Sequence, residues 1–182
     1  MPFLKNITYR HLIFLLLAGW NMIAVAQTPP SEYQVKATFL FNFTRYVQWP
    51  ATSFETTQSP FVIGILGHDP FGPYLKETVA GENVHGHPII IQKYSEVDEI
   101  KNCHILFINI SQPSKLESAM QAVSKKGVLT IGDAGNFMQK GGILKFYDAE
   151  GKIKFEINPE RAKAAELTIS SQLMKLAKIT IP

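Results

Sequence analysis

The sequence predicts an α/β domain, a three-layer sandwich built on a mostly parallel sheet with a C-terminal antiparallel hairpin. Three observations predict it. Short apolar runs alternate with amphipathic helical segments. The run His104–Ile108 is almost wholly apolar, as expected of a strand covered on both faces. Two alternating runs, Gly142–Tyr147 and Lys152–Ile157, flank the turn sequence Asp148-Ala149-Glu150-Gly151.

Before the domain comes an address. Lys5, Arg10 and His11 precede the apolar run Leu12–Val25, and Ala24-Val25-Ala26 gives an A-x-A cleavage pattern before Gln27. A bilayer crossing needs about 20 apolar residues, and this run has 14 positions that include Gly19 and Asn21. Residues 1–26 therefore read as a cleaved signal peptide and 27–182 as one exported, periplasmic domain. Of 18 Lys+Arg, Lys5 and Arg10 leave with the leader, so 16 face 15 Asp+Glu in the mature chain. That near-neutral balance has no clustered basic footprint for nucleic acid.

The elements follow in order. Glu32–Gln48 has helical periodicity, with Val35, Phe39, Leu40, Phe43, Tyr46 and Val47 on one face, Ser31 as N-cap and Pro50 as terminator. Phe61–Leu66 is a strand between Pro60 and Gly67. Asp69-Pro70-Phe71-Gly72 supplies a capping Asp and turn chemistry for a short helix over Pro73–Val79. Strands are predicted at Pro88–Gln92, His104–Ile108 and Gly127–Ile131, a helical turn at Glu96–Lys101 and a helix at Ser114–Ser124. Ala134–Gln139 is at most one helical turn. After the hairpin, Pro159–Ala165 and Ile169–Lys178 read as closing helices.

Chemistry is sparse. The sequence has neither a G-x-S-x-G elbow nor an S-x-x-K, so no familiar nucleophile is set up. Cys103 is the one cysteine, which excludes an internal disulfide; it reads as a buried small residue, and its neighbour His104 would point to the opposite face of the strand. His85-Gly86-His87 and His68 lack the ligand set and support of a zinc site and read as a solvated loop. Gly64–Gly72 lacks the Lys-Ser/Thr of a phosphate loop. No cofactor, metal or catalytic residue is assigned. In open α/β sheets ligands lie beyond the carboxyl ends of the strands; Asp69, Asn109 and Asp133 would line that crevice. A phosphoacceptor receiver domain shares this layout, but the acidic pair after its first strand is missing here.

The stretch Phe39–Trp49 is richer. Phe41 lies opposite the predicted apolar stripe, beside Thr38 and Arg45. An aromatic next to an arginine on a polar face is interface material, the alternative being that another element of the domain covers it. Phe41, Arg45 and Trp49 are the candidate partner-binding residues.

Val35-Lys36-Ala37-Thr38-Phe39-Leu40-Phe41-Asn42-Phe43, continuing through Arg45-Tyr46-Val47-Gln48-Trp49-Pro50, resembles the opening of the YfiR/HmsC-like family of exported proteins. Gly67–Gly72, Cys103–Ile108, Gly141-Gly142-Ile143, Phe155–Asn158 and Ile169–Ala177 resemble it in the same order. The resemblance implies a non-enzymatic periplasmic regulator with an α/β sandwich able to form a homodimer. Its relatives repress an inner-membrane diguanylate cyclase through that enzyme's periplasmic sensory part, lowering cyclic di-GMP and biofilm formation. Other members accompany sensor histidine kinases, so an accessory subunit of such a kinase is an alternative, as is a periplasmic small-molecule binding protein. Some relatives carry paired cysteines, which this sequence does not.

Overall fold

The structure is a computed structural model that describes residues 30–123 and 127–180; the predicted signal peptide lies outside them. The elements in order are α1 (Glu32–Tyr46), β1 (Val47–Gln48), β2 (Phe61–Gly67), α2 (Tyr74–Val79), β3 (Asn83–Val84), β4 (His87–Tyr94), β5 (Ile105–Asn109), α3 (Pro113–Val123), β6 (Leu129–Gly132), β7 (Leu144–Ala149), β8 (Lys152–Ile157), α4 (Pro159–Ala164), β9 (Thr168–Ile169), α5 (Ser171–Leu176) and β10 (Lys178–Ile179). The main sheet has the order β10-β8-β7-β6-β5-β2-β4-β3. The run from β7 through β6, β5 and β2 to β4 is parallel; the β7–β8 hairpin and β3 are antiparallel to their neighbours. The predicted α/β class with a mostly parallel sheet and C-terminal hairpin is what forms.

The strands are apolar on both faces because both are covered. Phe61, Ile63 and Ile65 of β2, with Ile105 and Phe107 of β5, join Ala37, Leu40 and Phe43 of α1 in one core. Leu66, Leu106 and Ile108 meet Leu116, Ala119, Met120 and Val123 of α3 in the other. Phe43 is ringed by aromatics: Phe39 at 6.0 Å, Phe146 at 5.9 Å and Phe155 edge-on at 5.2 Å. Such pairs add to the burial term of a large side chain. Phe137 seats its ring against Gly132 and Gly142, where a Cβ would collide with it.

Several boundaries differ from the sequence reading, each for a local reason. Ser31 does cap α1: its hydroxyl accepts from the Gln34 N–H at 3.4 Å, and Gln34 Oε1 accepts from the Ser31 N–H at 2.6 Å. The helix stops at Tyr46, however, because Val47 and Gln48 go extended and pair with Ile169 and Thr168. The closing helix expected from Ile169 starts only at Ser171, where the Ser170 hydroxyl accepts from the Leu173 N–H. It ends at Leu176, and Lys178–Ile179 become β10, parallel to β8. The hairpin is therefore not the sheet edge. Asp69 does not cap α2; its Oδ1 accepts from the Phe71 N–H, closing an Asx turn ahead of the helix. The helical turn expected at Glu96–Lys101 shrinks to a 3-10 turn at Val97–Glu99. His87 leaves the expected loop and opens β4.

Candidate functional site

α1 is the element on which the functional arguments converge, and its buried face is rotated from the predicted apolar stripe, keeping Leu40, Phe43 and Val47 of it. Val35, Phe39 and Tyr46 are only half-buried, while Lys36, Ala37 and Thr44 are buried with Leu40 and Phe43. A lysine can sit there because it is paired. Its Nζ lies 2.6 Å from Asp133 Oδ2 and 2.5 Å from Glu32 Oε1, and it stands over the Tyr33 ring at 4.5 Å. The Tyr33 hydroxyl donates to the same Asp133 oxygen at 3.1 Å. Burial opposes the Lys36 ammonium, but the hydrogen bonds to Asp133 and Glu32 outweigh it and hold its pKa above that of a free lysine. Tyr33 is raised as well, first by burial and then by the Asp133 charge. Lys36 escapes a search for apolar periodicity; the i,i+4 spacing from Glu32 is the one sequence signal that flags it.

The three crevice residues do stand at the carboxyl ends of β2, β5 and β6, each engaged differently. Asp133 is closed over by Tyr33 and Lys36 of α1. Asn109 Nδ2 donates to the His68 carbonyl at 3.0 Å, and Gly67, at φ +90, lets the two loops approach, because a Cβ there would strike the Asn109 carbonyl. Asp69 pairs with Lys93 at 2.6 Å and lines a cavity of about 490 Å³ between α2 and β4. Neither Asn109 nor Asp133 lines that cavity.

The candidate partner-binding residues also part company. Arg45 is exposed and its guanidinium lies over the half-buried Phe41 ring at 4.8 Å, so these two form one amphipathic surface unit. Trp49 works inward: its Nε1–H donates to the His104 carbonyl at 3.0 Å, and its ring meets Phe61 edge-on at 4.8 Å. A groove of about 460 Å³ runs between α1 and α2, bordered by Gln34, Thr38, Phe39, Asn42, Tyr74 and Thr78. Tyr74 stands 38% exposed at its rim.

His104 and Cys103 diverge as the strand period requires. Cys103 packs into the α3-side core, and burial pushes its thiol up to about 12, out of the reactive range. His104 turns to the α1 side and stacks against Phe54 and Phe61 at 4.5 and 4.7 Å. Its Nδ1 accepts from the Val62 N–H, so the neutral ring carries its proton on Nε2 and donates it to the Ser53 carbonyl at 3.1 Å. His87 stacks on the other side of Phe54 at 3.9 Å. Among the described residues no group of three or more His, Cys, Asp or Glu side chains is placed to hold a metal, and no helix is long and apolar enough to cross a membrane.

Against known families, the chain matches the YfiR/HmsC-like family over residues 33–178, from the second residue of α1 into β10. The protein belongs to the YfiR/HmsC-like family. A search of curated sequences returns no match. Among solved structures, this YfiR/HmsC-like chain is similar to a conserved domain protein from Vibrio cholerae O1 biovar eltor, with 13% identity and a TM-score of 0.53. The alignment covers 85% of this chain and 62% of that one, so this fold accounts for under two thirds of the longer protein. That likeness concerns the fold alone.

Proposed function

We propose that this protein is an exported periplasmic regulator, not an enzyme, that docks on the periplasmic sensory part of an inner-membrane signalling protein and holds it inactive. Family membership over residues 33–178 carries the reading. The receptor class we favour is a diguanylate cyclase, whose repression lowers cyclic di-GMP and biofilm formation; a sensor histidine kinase is the alternative. The Phe41–Arg45 unit supports α1 as the docking element, because a half-buried aromatic whose outer part is capped by an exposed guanidinium presents apolar area and a directional charge together. Trp49 follows the end of α1 and anchors the chain there through the His104 carbonyl and Phe61. Repression requires only that the regulator bind the inactive receptor more tightly than the active one, a coupling of about 1–3 kcal/mol in typical systems.

The test is capture from detergent-solubilised membranes with the mature protein as bait. We expect it to retain a membrane protein with a periplasmic sensory part and a cytoplasmic cyclase or kinase domain, and Phe41→Ala with Arg45→Ala to lose it while circular dichroism still shows a folded domain. Equal capture by the double variant would remove α1 from the interface.

A further inference from the structure

A second cavity, of about 390 Å³, opens on the α3 side of the sheet, and no α1 residue lines it. Its walls are Met120 and Val123 of α3, Val128 ahead of β6, and Ile143 ahead of β7. Two small residues keep it open: Gly141 on the loop before β7 and Ala165 after α4. Gly141 adopts φ +113, and a Cβ on it would sit 3.0 Å from Arg161 Nη1 and 3.6 Å from Met120. The guanidinium of Arg161 thus lies against a bare stretch of backbone at the cavity wall.

Arg161 is unusual among the cations of this domain. It is half-buried, yet among the described residues its guanidinium has no carboxylate partner and donates to no hydrogen-bond acceptor; only its backbone is engaged, the N–H with Asn158 Oδ1 and the carbonyl with the Ala165 N–H. The other cation at the cavity, Lys140, is paired with Glu117 of α3 at 3.2 Å. A third donor comes from the buried Thr130: its hydroxyl oxygen accepts from the Ile143 N–H at 3.1 Å, which leaves the hydroxyl proton to point elsewhere. Among the described residues no acidic side chain lines the cavity. A space of this size with an apolar wall and a few convergent polar groups is what small-molecule sites look like, and among the described residues it holds a planar cation without a carboxylate partner, suited to a carboxylate ligand.

We infer that this cavity binds a small amphipathic carboxylate, its apolar body against Met120, Val123, Val128 and Ile143 and its carboxylate on Arg161. The site is separate from the α1 surface, and it stands or falls without the receptor.

Octanoate is the probe, titrated into the ¹⁵N-labelled mature protein and followed by amide chemical shifts, with 1-octanol as the uncharged analogue. We expect octanoate to bind at millimolar or lower concentration and to move the Gly141, Ile143 and Ala164 amides, and octanol to bind at least tenfold more weakly. Arg161→Met should weaken octanoate about tenfold or more, the worth of one charge-assisted hydrogen-bonded contact, and leave octanol unchanged. Ala164→Phe, at an exposed position on the cavity rim, should block both without lowering the melting temperature. The inference is overturned if octanoate does not bind, if its shifts map elsewhere, if octanol binds equally well, or if Arg161→Met retains full octanoate affinity.

Discussion

His104 shows how much one side chain constrains this domain. Its ring stacks against both Phe54 and Phe61, and its Nδ1 lone pair is occupied by the Val62 N–H. Protonation would break that bond and bury a charge, with His87 the nearest other titratable group; burial, chiefly, and His87 lower its pKa to about 4. The unfolded chain takes up a proton near pH 6.5 and the folded one does not until pH 4. Stability is therefore constant above pH 6.5, falls by up to about 3 kcal/mol as pH drops from 6.5 to 4, and levels off below that from this group. Urea unfolding across that range should show the slope in the wild type and lose most of it in His104→Asn, which can still accept from Val62. The Lys36–Asp133 pair makes a second prediction at this scale. Asp133→Ala leaves a buried ammonium with Glu32 alone, and should cost about 2–4 kcal/mol in the same assay. A cost below 0.5 kcal/mol, as for an exposed ion pair, would mean that Asp133 does not fix α1 to the sheet.

At the scale of elements, what the sequence made legible is what a repeated pattern encodes. α1, with its Ser31 cap, the apolar strands β2, β5 and β6, α3 and the β7–β8 hairpin all follow from periodicity and turn residues that agree with the final packing. The two-residue strands β1, β3, β9 and β10 do not, because so short a segment has no period of its own; tertiary pairing decides it. Thr168 and Ile169 show this directly. Ile169 fits a helical pattern leading into Leu173, yet both become extended because the end of α1 offers Val47 and Gln48 as partners. The candidate site was partly readable. The Phe41–Arg45 juxtaposition follows from i,i+4 spacing, and the carboxyl-edge positions of Asp69, Asn109 and Asp133 follow from the topology. That Lys36 and Tyr33 close over Asp133, and that Arg161 lies beside Gly141, depends on contacts between segments far apart in sequence.

For the whole molecule, the consequence is a division of labour across one sheet. α1 and α2 cover one face and carry the Phe41–Arg45 unit and the groove between the two helices; α3 covers the other and borders the Arg161 cavity. A regulator that must meet both a membrane receptor and a soluble signal needs two separate surfaces, and reciprocity of coupling would let a ligand on one alter affinity at the other. The leader predicted at residues 1–26 would fit the same picture, since the proposed receptor part lies outside the cytoplasm. The most direct test of the central claim is cyclic di-GMP measured in cells from which the gene has been deleted. Deletion should raise it, the wild-type gene should restore it, and neither a version lacking residues 1–26 nor Phe41→Ala with Arg45→Ala should do so. Cyclic di-GMP unchanged by the deletion, or fully restored by the form without its leader, would contradict the account.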